Sequence, residues 1–256
     1  MFAPQRREKI MQLLQQSRQI VVKELSRELG VSEGTLRTDL KIMEEEGLLE
    51  RTHGGAVPPR VKTSLHEQRI PSRSELNHEE KRAIGRRAAE LVKQGQCILL
   101  DASSTVLELA KALAERDFLT VVTNGLEAAM ELGRNPRINV ILIGGVLRPG
   151  SGTVEGVLGR SILNEVHADV FFTSAEGFTV LEGMTDFSLH EAELKKAMAA
   201  NAARVVALLD HTKLGRRSIA TSVPAKAVHT LVTDPKADRS LLRGLSSLQV
   251  LTADNG

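Results

Sequence analysis

The chain has 256 residues, 41% of them hydrophobic, and a formal net charge of +2. A chain of this length can bury a substantial core and is long enough for two domains. Its single cysteine excludes an internal disulfide, and its seven histidines are scattered without the spacing of metal ligands. The sequence therefore predicts neither a bound metal nor a cofactor.

No apolar run approaches the roughly 20 residues of a membrane-spanning helix, and the N-terminal stretch MFAPQRREKI is charged where a signal peptide would be apolar. We therefore expect a cytoplasmic protein that does not enter a membrane. Residues 1–62 carry 11 Lys and Arg against 9 Asp and Glu, whereas the rest of the chain carries 23 of each. This small excess is weak evidence for nucleic-acid binding, so the positions of the basic residues have to decide whether the chain binds nucleic acid.

The N-terminal part shows three short helical patterns. Apolar residues recur at helical spacing in two stretches: Ile10, Leu13 and Leu14, then Val22, Leu25 and Leu29. The first stretch follows Pro4 and predicts a helix over residues 4–16. Gly30 ends the second as a C-cap glycine would, and Ser32 is a good N-cap for a third helix. The inward face of that third helix would be formed by Leu36, Leu40 and Met43.

Two helices joined by a tight turn form a helix-turn-helix, in which the second helix enters the major groove of DNA. After Gly47 the segment LLERTHGGAV alternates like a short β-hairpin, which would form a wing beside that helix. The residues that could reach base edges or phosphates are Ser32, Thr35, Arg37, Thr38, Lys41, Arg51, His53 and Gly54, with Arg37 the leading candidate. A small protein–protein interaction module is the alternative, because a fold does not dictate a function.

These residues also carry a family resemblance. The chain resembles the N-terminal signature of the DeoR family of bacterial transcriptional regulators at Val31-Ser32, Thr35-Leu36-Arg37, Asp39-Leu40, Gly47-Leu48-Leu49 and His53-Gly54-Gly55. The family commonly has a second arginine directly after the first, where this chain has Thr38. The resemblance implies a winged helix-turn-helix that binds operator DNA.

From Pro58 to His78 the helical and strand patterns fade. We expect a linker over residues 59–78, between a DNA-binding domain at 1–58 and a second domain at 79–256. In the second domain helical patterns alternate with apolar runs, which are CILLD, LTVVTN, INVILIGG, DVFFTS, RVVALLD and HTLVTD. This alternation predicts an α/β fold with a mostly parallel sheet and helices on both faces.

Ligands of such sheets bind at the carboxyl ends of the strands. There the chain has polar and small residues that form a candidate effector site: Asp101, Ser103, Ser104, Thr105, Thr123, Asn124, Gly144, Gly145, Arg148, Glu176, Asp186 and Lys213. A hydroxyl-rich turn that opens a helix, and a lysine after a strand, are suited to phosphate, which favours a phosphosugar. Taken singly, each feature has a plainer explanation as a helix cap, a turn or a solvated lysine.

The second domain is also similar to the sensor domain of the DeoR family, whose fold resembles that of ribose-phosphate isomerases, glucosamine-phosphate isomerases and CoA transferases. The resemblance implies that the phosphate of a phosphorylated sugar is held by Ser103–Thr105 and Lys213, and that its hydroxyls face Asp101, Asn124, Glu176 and Asp186. The family often has Gly-x-Asp-Gly where this chain has Ser174-Ala175-Glu176-Gly177.

The sequence and the resemblance together predict a repressor of a sugar-catabolic operon, without catalytic residues, that binds double-stranded operator DNA and a phosphorylated sugar. A homo-oligomer, dimer or tetramer, is expected because such DNA-binding heads read paired half-sites. The alternative is a sugar-phosphate isomerase-like enzyme with an accessory N-terminal module, since the predicted pocket retains Asp101, Glu176, Glu193 and Lys213, and carboxylates could transfer protons. We rank it lower, because an isomerase has no use for a winged helix.

Overall fold

The computed structural model describes residues 6–7, 9–11, 13–14, 19–45, 49–52, 54–57, 75–155, 159–243 and 248–254. The chain folds into two compact units, an N-terminal unit of residues 1–65 and a C-terminal unit of residues 66–256. Most of the predicted linker over residues 59–78 lies outside the described residues. No described helix is long and apolar enough to cross a membrane.

The described part of the N-terminal unit consists of three helices and a small sheet. Its elements are α1 (helical at residues 6–7, 9–11 and 13–14), β1 (Ile20–Val21), α2 (Val22–Leu29), α3 (Glu33–Glu45), β2 (Glu50–Thr52) and β3 (Gly55–Val57). Strands β2 and β3 form an antiparallel hairpin, and β1 pairs antiparallel with the other side of β3. The predicted three helices followed by a wing-like hairpin are confirmed.

The helix ends follow from particular residues. Gly30 ends α2 in the left-handed conformation, at φ 65°, which glycine adopts without steric cost. The Ser32 hydroxyl caps α3, because it accepts a hydrogen bond from the backbone N–H of Thr35 at 3.1 Å. At Gly55 a Cβ atom would lie 1.6 Å from the carbonyl oxygen of Ile20, so only glycine lets β1 and β3 pair this closely.

The core of the N-terminal unit gathers the apolar stripes of its helices. Its buried side chains are Ile10, Leu14, Ile20, Val22, Leu25, Leu36, Leu40, Met43, Leu49 and Ala56. A buried carboxylate adds to this packing, since Asp39 lies 2.5 Å from Arg6 Nε and 3.1 Å from Arg7 Nε. These ion pairs tie α1 to α3 and use two basic residues of this unit for folding.

The C-terminal unit alternates strands and helices. Its elements are α4 (His78–Ala89), β4 (Cys97–Leu100), α5 (Ser104–Leu113), β5 (Leu119–Thr123), α6 (Leu126–Leu132), β6 (Ile138–Leu142), β7 (Val146–Leu147), β8 (Val154–Glu155), α7 (Arg160–Glu165), β9 (Ala168–Thr173), β10 (Gly177–Thr179), β11 (Gly183–Asp186), α8 (Leu189–Ala200), β12 (Ala202–Leu208), a 3-10 turn (His211–Lys213), β13 (Ala220–Val223), a second 3-10 turn (Ala225–Ala227), β14 (Thr230–Thr233), a third (Arg239–Leu242) and β15 (Gln249–Thr252).

Seven of these strands form one sheet in the order β15-β14-β12-β9-β4-β5-β6, and every neighbouring pair is parallel. Both faces are covered. On β4, Ile98 and Leu100 pack in the core that contains α4, α5 and α6, whereas Leu99 packs on the opposite side with α7 and α8. All six predicted apolar runs are strands of this sheet. Five of them are inner strands, and strands buried on both faces read as continuous apolar runs. The sixth, β6, has such a run although it lies at an edge and is partly exposed. The predicted α/β fold is confirmed.

The strand order reverses between β4 and β9. From β4 the chain moves outward through β5 and β6, returns to pair β9 with the other side of β4, and then moves outward through β12, β14 and β15. The connections that follow β4 and β9 therefore diverge. In open α/β sheets this divergence leaves a crevice at the carboxyl ends of the strands, where ligands bind.

The sequence does not predict three features: β15, the antiparallel sheet of order β10-β11-β13, and the hairpin of β7 and β8. Strand β15 pairs only at the edge of the sheet and is partly exposed, so it lacks the apolar run of an internal strand. The other strands are two to four residues long. Segments that short contain too few side chains to show a periodicity.

Candidate functional sites

The exposed face of α3 carries the side chains that we expect to contact DNA. The apolar stripe of this helix is buried, which turns Arg37, Thr38 and Lys41 to solvent. The Arg37 side chain is half exposed and lies 3.4 Å from a carboxylate oxygen of Glu33, one turn earlier. An exposed pair at that distance stabilises a helix little, so Arg37 can exchange Glu33 for another anion. The Thr38 hydroxyl donates to a carbonyl oxygen of its own helix at 3.0 Å.

The remaining DNA-contact candidates lie at the start of α3 and on the hairpin. The hydroxyls of Ser32 and Thr35 are 2.9 Å apart at the N-terminal end of the helix. On β2, the guanidinium of the exposed Arg51 lies 3.9 Å from one carboxylate oxygen of Glu44. The other carboxylate oxygen of Glu44 accepts the Arg51 backbone N–H at 2.9 Å. Gly54 is exposed in the turn of the hairpin. His53 lies outside the described residues.

In the C-terminal unit, Asp101 follows β4 at the crevice where the strand order reverses. Its Oδ1 accepts the backbone N–H of Ser103 at 3.0 Å. Its Oδ2 accepts the Thr173 hydroxyl at 2.7 Å and the Ser174 N–H at 2.9 Å. Since Thr173 ends β9, the carboxylate bridges the two strands that flank the crevice. Both of its oxygens are therefore engaged inside the protein.

Beside Asp101 lies a buried lysine that is absent from the predicted site. Lys195, on α8, is only 3% exposed. Its ammonium lies 2.8 Å from the Ser174 carbonyl oxygen, 2.9 Å from Asp186 Oδ1, 2.9 Å from Glu191 Oε1 and 3.3 Å from Asp101 Oδ2. We call Asp101, Asp186, Glu191 and Lys195 the lysine cluster. It joins the ends of β4, β9 and β11 to α8.

The lysine cluster shifts the pKa values of its members. Burial raises the pKa of the Asp186 carboxyl to about 6, with the Lys195 ammonium opposing this rise and Glu191 adding to it. Burial by itself would lower the pKa of Lys195, but its three carboxylate neighbours outweigh burial and raise that pKa well above the ordinary value. Lys195 therefore stays charged at neutral pH, while Asp186 changes its protonation state close to neutrality.

Three buried side-chain atoms at this end of the sheet have no hydrogen-bond partner among the residues that the structure describes: the acceptors Asp186 Oδ2 and Asn124 Oδ1, and the hydroxyl of Thr233 at the end of β14. Ser222 faces Asp186, but its hydroxyl donates to the Met184 carbonyl oxygen at 3.3 Å. Asn124 Nδ2 donates to the Val154 carbonyl oxygen at 3.1 Å, which fixes the orientation of the amide. Unsatisfied buried acceptors are uncommon, and a ligand that donates to them removes their cost.

The hydroxyl-rich turn after β4 opens α5. Ser103 is the N-cap, and its Oγ accepts the N–H of the residue three positions on at 3.3 Å. The first N–H groups of a helix have no partner inside it, so those of Ser104 and Thr105 suit an anion. On the neighbouring strand β5, the buried Thr123 hydroxyl accepts the Gly125 N–H at 3.0 Å.

The segment after β6 folds back toward the lysine cluster. Gly144 and Gly145 are exposed and lead into the β7–β8 hairpin. Arg148, which follows β7, lies 3.1 Å from a carboxylate oxygen of Glu155 on β8. Its guanidinium carbon is also 4.9 Å from the ring centre of Phe187, the residue after Asp186. The hairpin thereby brings Arg148 close to the segment that carries Asp186.

Lys213 ends the 3-10 turn that follows β12. Its Nζ lies 3.5 Å from Glu176 Oε1, and both side chains are 21% exposed. Asp210 caps this turn by accepting the N–H of Thr212 at 3.0 Å. A cleft of about 500 Å³ is lined by Glu176, Arg216, Arg217, Ser218 and Ile219. Positive charge is therefore concentrated beside Lys213.

Of the predicted effector residues, Asp101 and Asp186 belong to the lysine cluster, Glu176 and Lys213 form an adjoining pair, and the others lie at the ends of β4, β5, β6 and β7 or on the segments that follow them. The backbone N–H of Glu176 donates to the carbonyl oxygen of Thr185, the residue before Asp186, at 3.0 Å, so the backbone joins the cluster to the pair. Lys195 and Glu191 are the cluster residues that the predicted site lacks. For Lys195 the available signal is its position between Ala192 and Met198 on the buried stripe of α8, where an unpaired charge would be out of place.

Comparison with known proteins decides the family. The model of the DeoR-like helix-turn-helix domain matches residues 6–60, and that of the DeoR C-terminal sensor domain matches residues 76–235. The chain belongs to the DeoR family. It is a DNA-binding transcriptional regulator with a helix-turn-helix domain and a sensor domain.

Full-length relatives of this DeoR-family chain are regulators. The HTH-type transcriptional regulator GolR of Listeria innocua is 47% identical over 95% of each chain. The glycerol-3-phosphate regulon repressor of Escherichia coli is 30% identical over 94% of this chain and 95% of its own. These matches favour a regulator over an isomerase. Among solved structures, ribose 5-phosphate isomerase A from Methanocaldococcus jannaschii is similar at a TM-score of 0.41 and 19% identity, over 56% of this chain and 55% of that one; this likeness carries no argument about activity.

The raised pKa of Asp186 predicts a pH-dependent loss of stability. Its folded pKa of about 6 lies above the ordinary 3.8, so the folded chain holds this proton more tightly than the unfolded chain. The resulting stabilisation is complete below about pH 4 and is lost as the pH rises through 6. Between pH 5 and pH 8 we expect the parent to lose roughly 1 kcal/mol relative to Asp186→Asn, which cannot ionise there. Urea unfolding of both proteins at the two pH values measures this difference.

The control is Glu193→Gln, which removes a carboxylate that is 53% exposed and pairs with Lys196 on the outer side of α8. This variant should keep the parent's loss of stability between pH 5 and pH 8. An identical pH dependence of the parent and Asp186→Asn would contradict the raised pKa.

Proposed function

We propose that this regulator represses a sugar-catabolic operon in the cytoplasm as a homo-oligomer, a dimer or a tetramer. A phosphorylated sugar that binds the C-terminal unit changes its hold on double-stranded operator DNA. The observation that carries this proposal is the lysine cluster in the crevice of a DeoR sensor domain. Unsatisfied acceptors suited to sugar hydroxyls lie there, beside a helix start and a lysine suited to phosphate.

On the DNA side, the N-terminal part of α3 enters the major groove. Arg37 reads a base edge, for which its exposed and weakly paired guanidinium is suited. Contacts that position the head on the DNA come from the other candidates, Ser32, Thr35, Thr38, Lys41, Arg51, His53 and Gly54. Because this chain has Thr38 where the family commonly has a second arginine, Arg37 makes the larger contribution to DNA recognition.

On the effector side, the phosphate binds the N–H groups and hydroxyls of Ser103–Thr105 and the ammonium of Lys213. The sugar hydroxyls contact Asn124, Glu176 and Asp186. Asp101 acts through the backbone of the Ser103 turn and through Lys195, because its own oxygens are engaged. The name of the Escherichia coli relative, a repressor of a glycerol-3-phosphate regulon, supports both repression and a phosphorylated effector.

The loop that carries Lys213 also holds the beginning of the C-terminal unit. Asn77 precedes α4, and its Nδ2 donates to Asp210 Oδ1 at 3.2 Å and to Thr212 Oγ1 at 3.4 Å. An effector that moves Lys213 therefore also moves Asn77, which lies close in sequence to the N-terminal unit. This connection would carry the preference of the effector for one arrangement to the DNA-binding head.

Arg37→Ala tests the DNA contact. We expect affinity for DNA from upstream of the protein's own gene to fall about 10- to 100-fold, because a base contact is lost, while sugar-phosphate binding is unchanged. Fluorescence anisotropy of labelled DNA at a fixed salt concentration measures the change. Arg134→Ala removes the same charge from a 74% exposed position of the C-terminal unit and should bind DNA like the parent. Equal DNA binding by Arg37→Ala and the parent would refute the assignment of α3.

Lys213→Ala tests the phosphate contact. A panel of sugar phosphates is first screened for a shift in DNA affinity, and the active compound is then titrated into the variant. We expect effector affinity to fall at least about 10-fold, because a charge-assisted hydrogen bond is lost, with DNA binding intact. Lys226→Ala, an exposed lysine of the same unit, is the matched control. An unchanged effector response in Lys213→Ala would place the phosphate elsewhere.

Asn77→Ala tests the connection between the effector loop and the start of the C-terminal unit. The variant should bind the effector and, without effector, the DNA with the parent's affinities. The shift in DNA affinity at saturating effector should shrink by about 5-fold or more, because the hydrogen bonds to Asp210 and Thr212 are gone. Asn135→Ala is the control: it removes two asparagine side-chain hydrogen bonds, to carbonyl oxygens at the other end of the sheet. Its DNA affinity should respond to the effector as the parent's does. A full response in Asn77→Ala would exclude this route.

A further inference from the structure

Two of the predicted effector residues contain a buried side-chain atom without a hydrogen-bond partner among the described residues, and both atoms are acceptors. Asp186 Oδ2 and Asn124 Oδ1 are buried and meet no donor in the described part of the chain. Asp186 is 3% exposed and Asn124 is 3% exposed, so bulk water does not satisfy them. A ligand group that improves these two positions has to donate hydrogen bonds. Hydroxyl groups do so, whereas a carboxylate has only acceptor oxygens at neutral pH.

The buried ammonium at this site has no proton left for a ligand. An ammonium carries three N–H bonds, and three oxygens lie within 2.9 Å of Lys195 Nζ, those of Ser174, Asp186 and Glu191. The Asp101 carboxylate adds a fourth contact, the third with a carboxylate, at 3.3 Å. Lys195 therefore cannot turn to a ligand carboxylate without breaking a bond inside the cluster.

The net charge of the lysine cluster also disfavours a ligand carboxylate. Three carboxylates surround one ammonium, so the cluster is negative even when Asp186 holds a proton. A second anion brought into this buried region would meet repulsion that water screens only weakly. Of the cations near the site, Arg148 lies beside Phe187 and pairs with Glu155 at 3.1 Å. Lys213, 3.5 Å from Glu176, and the arginines that line the adjoining cleft are the cations placed to receive an anion.

From this polarity we infer that the effector presents hydroxyl groups to Asp186 and Asn124 and that the site excludes a carboxylate there. The effector is thus a phosphorylated polyol or sugar and not a phosphorylated sugar acid. Lys195 is a positioning residue, which holds Asp186 Oδ1 so that Oδ2 is left for the ligand. This inference rests on the proposed function, because it takes the phosphate to bind at Lys213 and the Ser103 turn.

Matched pairs of compounds test the inference on the unmodified full-length chain. Each pair has the same carbon number and one phosphate, and differs in a terminal hydroxymethyl group or carboxylate. The pairs are glycerol 3-phosphate and 3-phosphoglycerate, ribitol 5-phosphate and 5-phosphoribonate, and glucitol 6-phosphate and 6-phosphogluconate. Isothermal titration calorimetry at pH 7.5 should give at least about 10-fold tighter binding of the polyol in every pair with measurable affinity.

A second test of the inference uses the variant Asp186→Asn with the same pairs of compounds. The substitution keeps the shape of the side chain but replaces the acceptor Oδ2 with a donor and removes one negative charge. We expect the polyol to bind about 10-fold more weakly and the ratio of polyol to acid affinity to fall toward one. Glu193→Gln removes an exposed carboxylate from the same helix and should leave the ratio unchanged. Urea unfolding at pH 7.5 verifies that both variants are folded.

The outcomes separate this inference from the proposed function. Equal or tighter binding of the acid in any pair would overturn the inference and leave phosphosugar sensing intact. A ratio unchanged in folded Asp186→Asn would overturn the role of Asp186. Failure of every polyol and every acid to bind, by a chain that still binds its DNA, would overturn the proposed function and this inference with it.

Discussion

The ammonium of Lys195 is the interaction around which the C-terminal unit is arranged. It lies where the strand order reverses, between the carboxylates that follow β4 and β11 and the carboxylate one turn earlier on α8. Burying such charges costs several kcal/mol per ion unless hydrogen bonds offset it, and here Lys195 and Asp101 have all their hydrogen-bonding groups engaged. A cluster of this kind stabilises a fold less than apolar packing would. The cluster instead holds the strand ends in place, because separating them would leave a buried charge without its partner.

The lysine cluster engages every hydrogen-bonding group of Lys195 and Asp101, so the two acceptors left unsatisfied at Asp186 and Asn124 are informative. Asp186 is held through Oδ1 and Asn124 through its amide nitrogen, so Asp186 Oδ2 and Asn124 Oδ1 are held at fixed places. A ligand would then meet acceptors that are already oriented, and it would not have to order them on binding. The same segments join neighbouring parts of the site, since Phe187 after Asp186 contacts Arg148, and Thr185 before it bonds Glu176. The regions proposed to contact hydroxyls and phosphate are therefore connected through residues 185–187.

The sequence was sufficient for the elements whose physical cause is local. Six continuous apolar runs became strands of the seven-stranded sheet, Gly30 ended a helix and Ser32 began one as their chemistry requires, and residues that follow strands gathered at one edge of the sheet. Edge strand β15 and the antiparallel strands β10, β11 and β13 could not be predicted, because β15 is partly exposed and the other three are too short to show a periodicity. The role of Lys195 could not be predicted either, because its partners are distant in the sequence. A lysine on an apolar helix stripe is explained only by the carboxylates opposite it, and Asp101 is contributed from 94 positions earlier in the chain.

The cations of the chain show why composition alone could not locate its functional surfaces. The N-terminal excess of positive charge is small, and part of it is used internally, since Arg6 and Arg7 bind the buried Asp39. Lys195 is likewise saturated by its own neighbours. Arg37 and Lys213 differ from these in being more exposed, and their carboxylate contacts with Glu33 and Glu176 lie at 3.4 Å and 3.5 Å. Exposed or half-exposed pairs at such distances contribute little to stability, so an incoming phosphate or base could replace the internal partner at small cost. The strength of each cation's internal pairing, rather than the number of cations, therefore distinguishes the residues that hold this protein together from those proposed to bind its ligands.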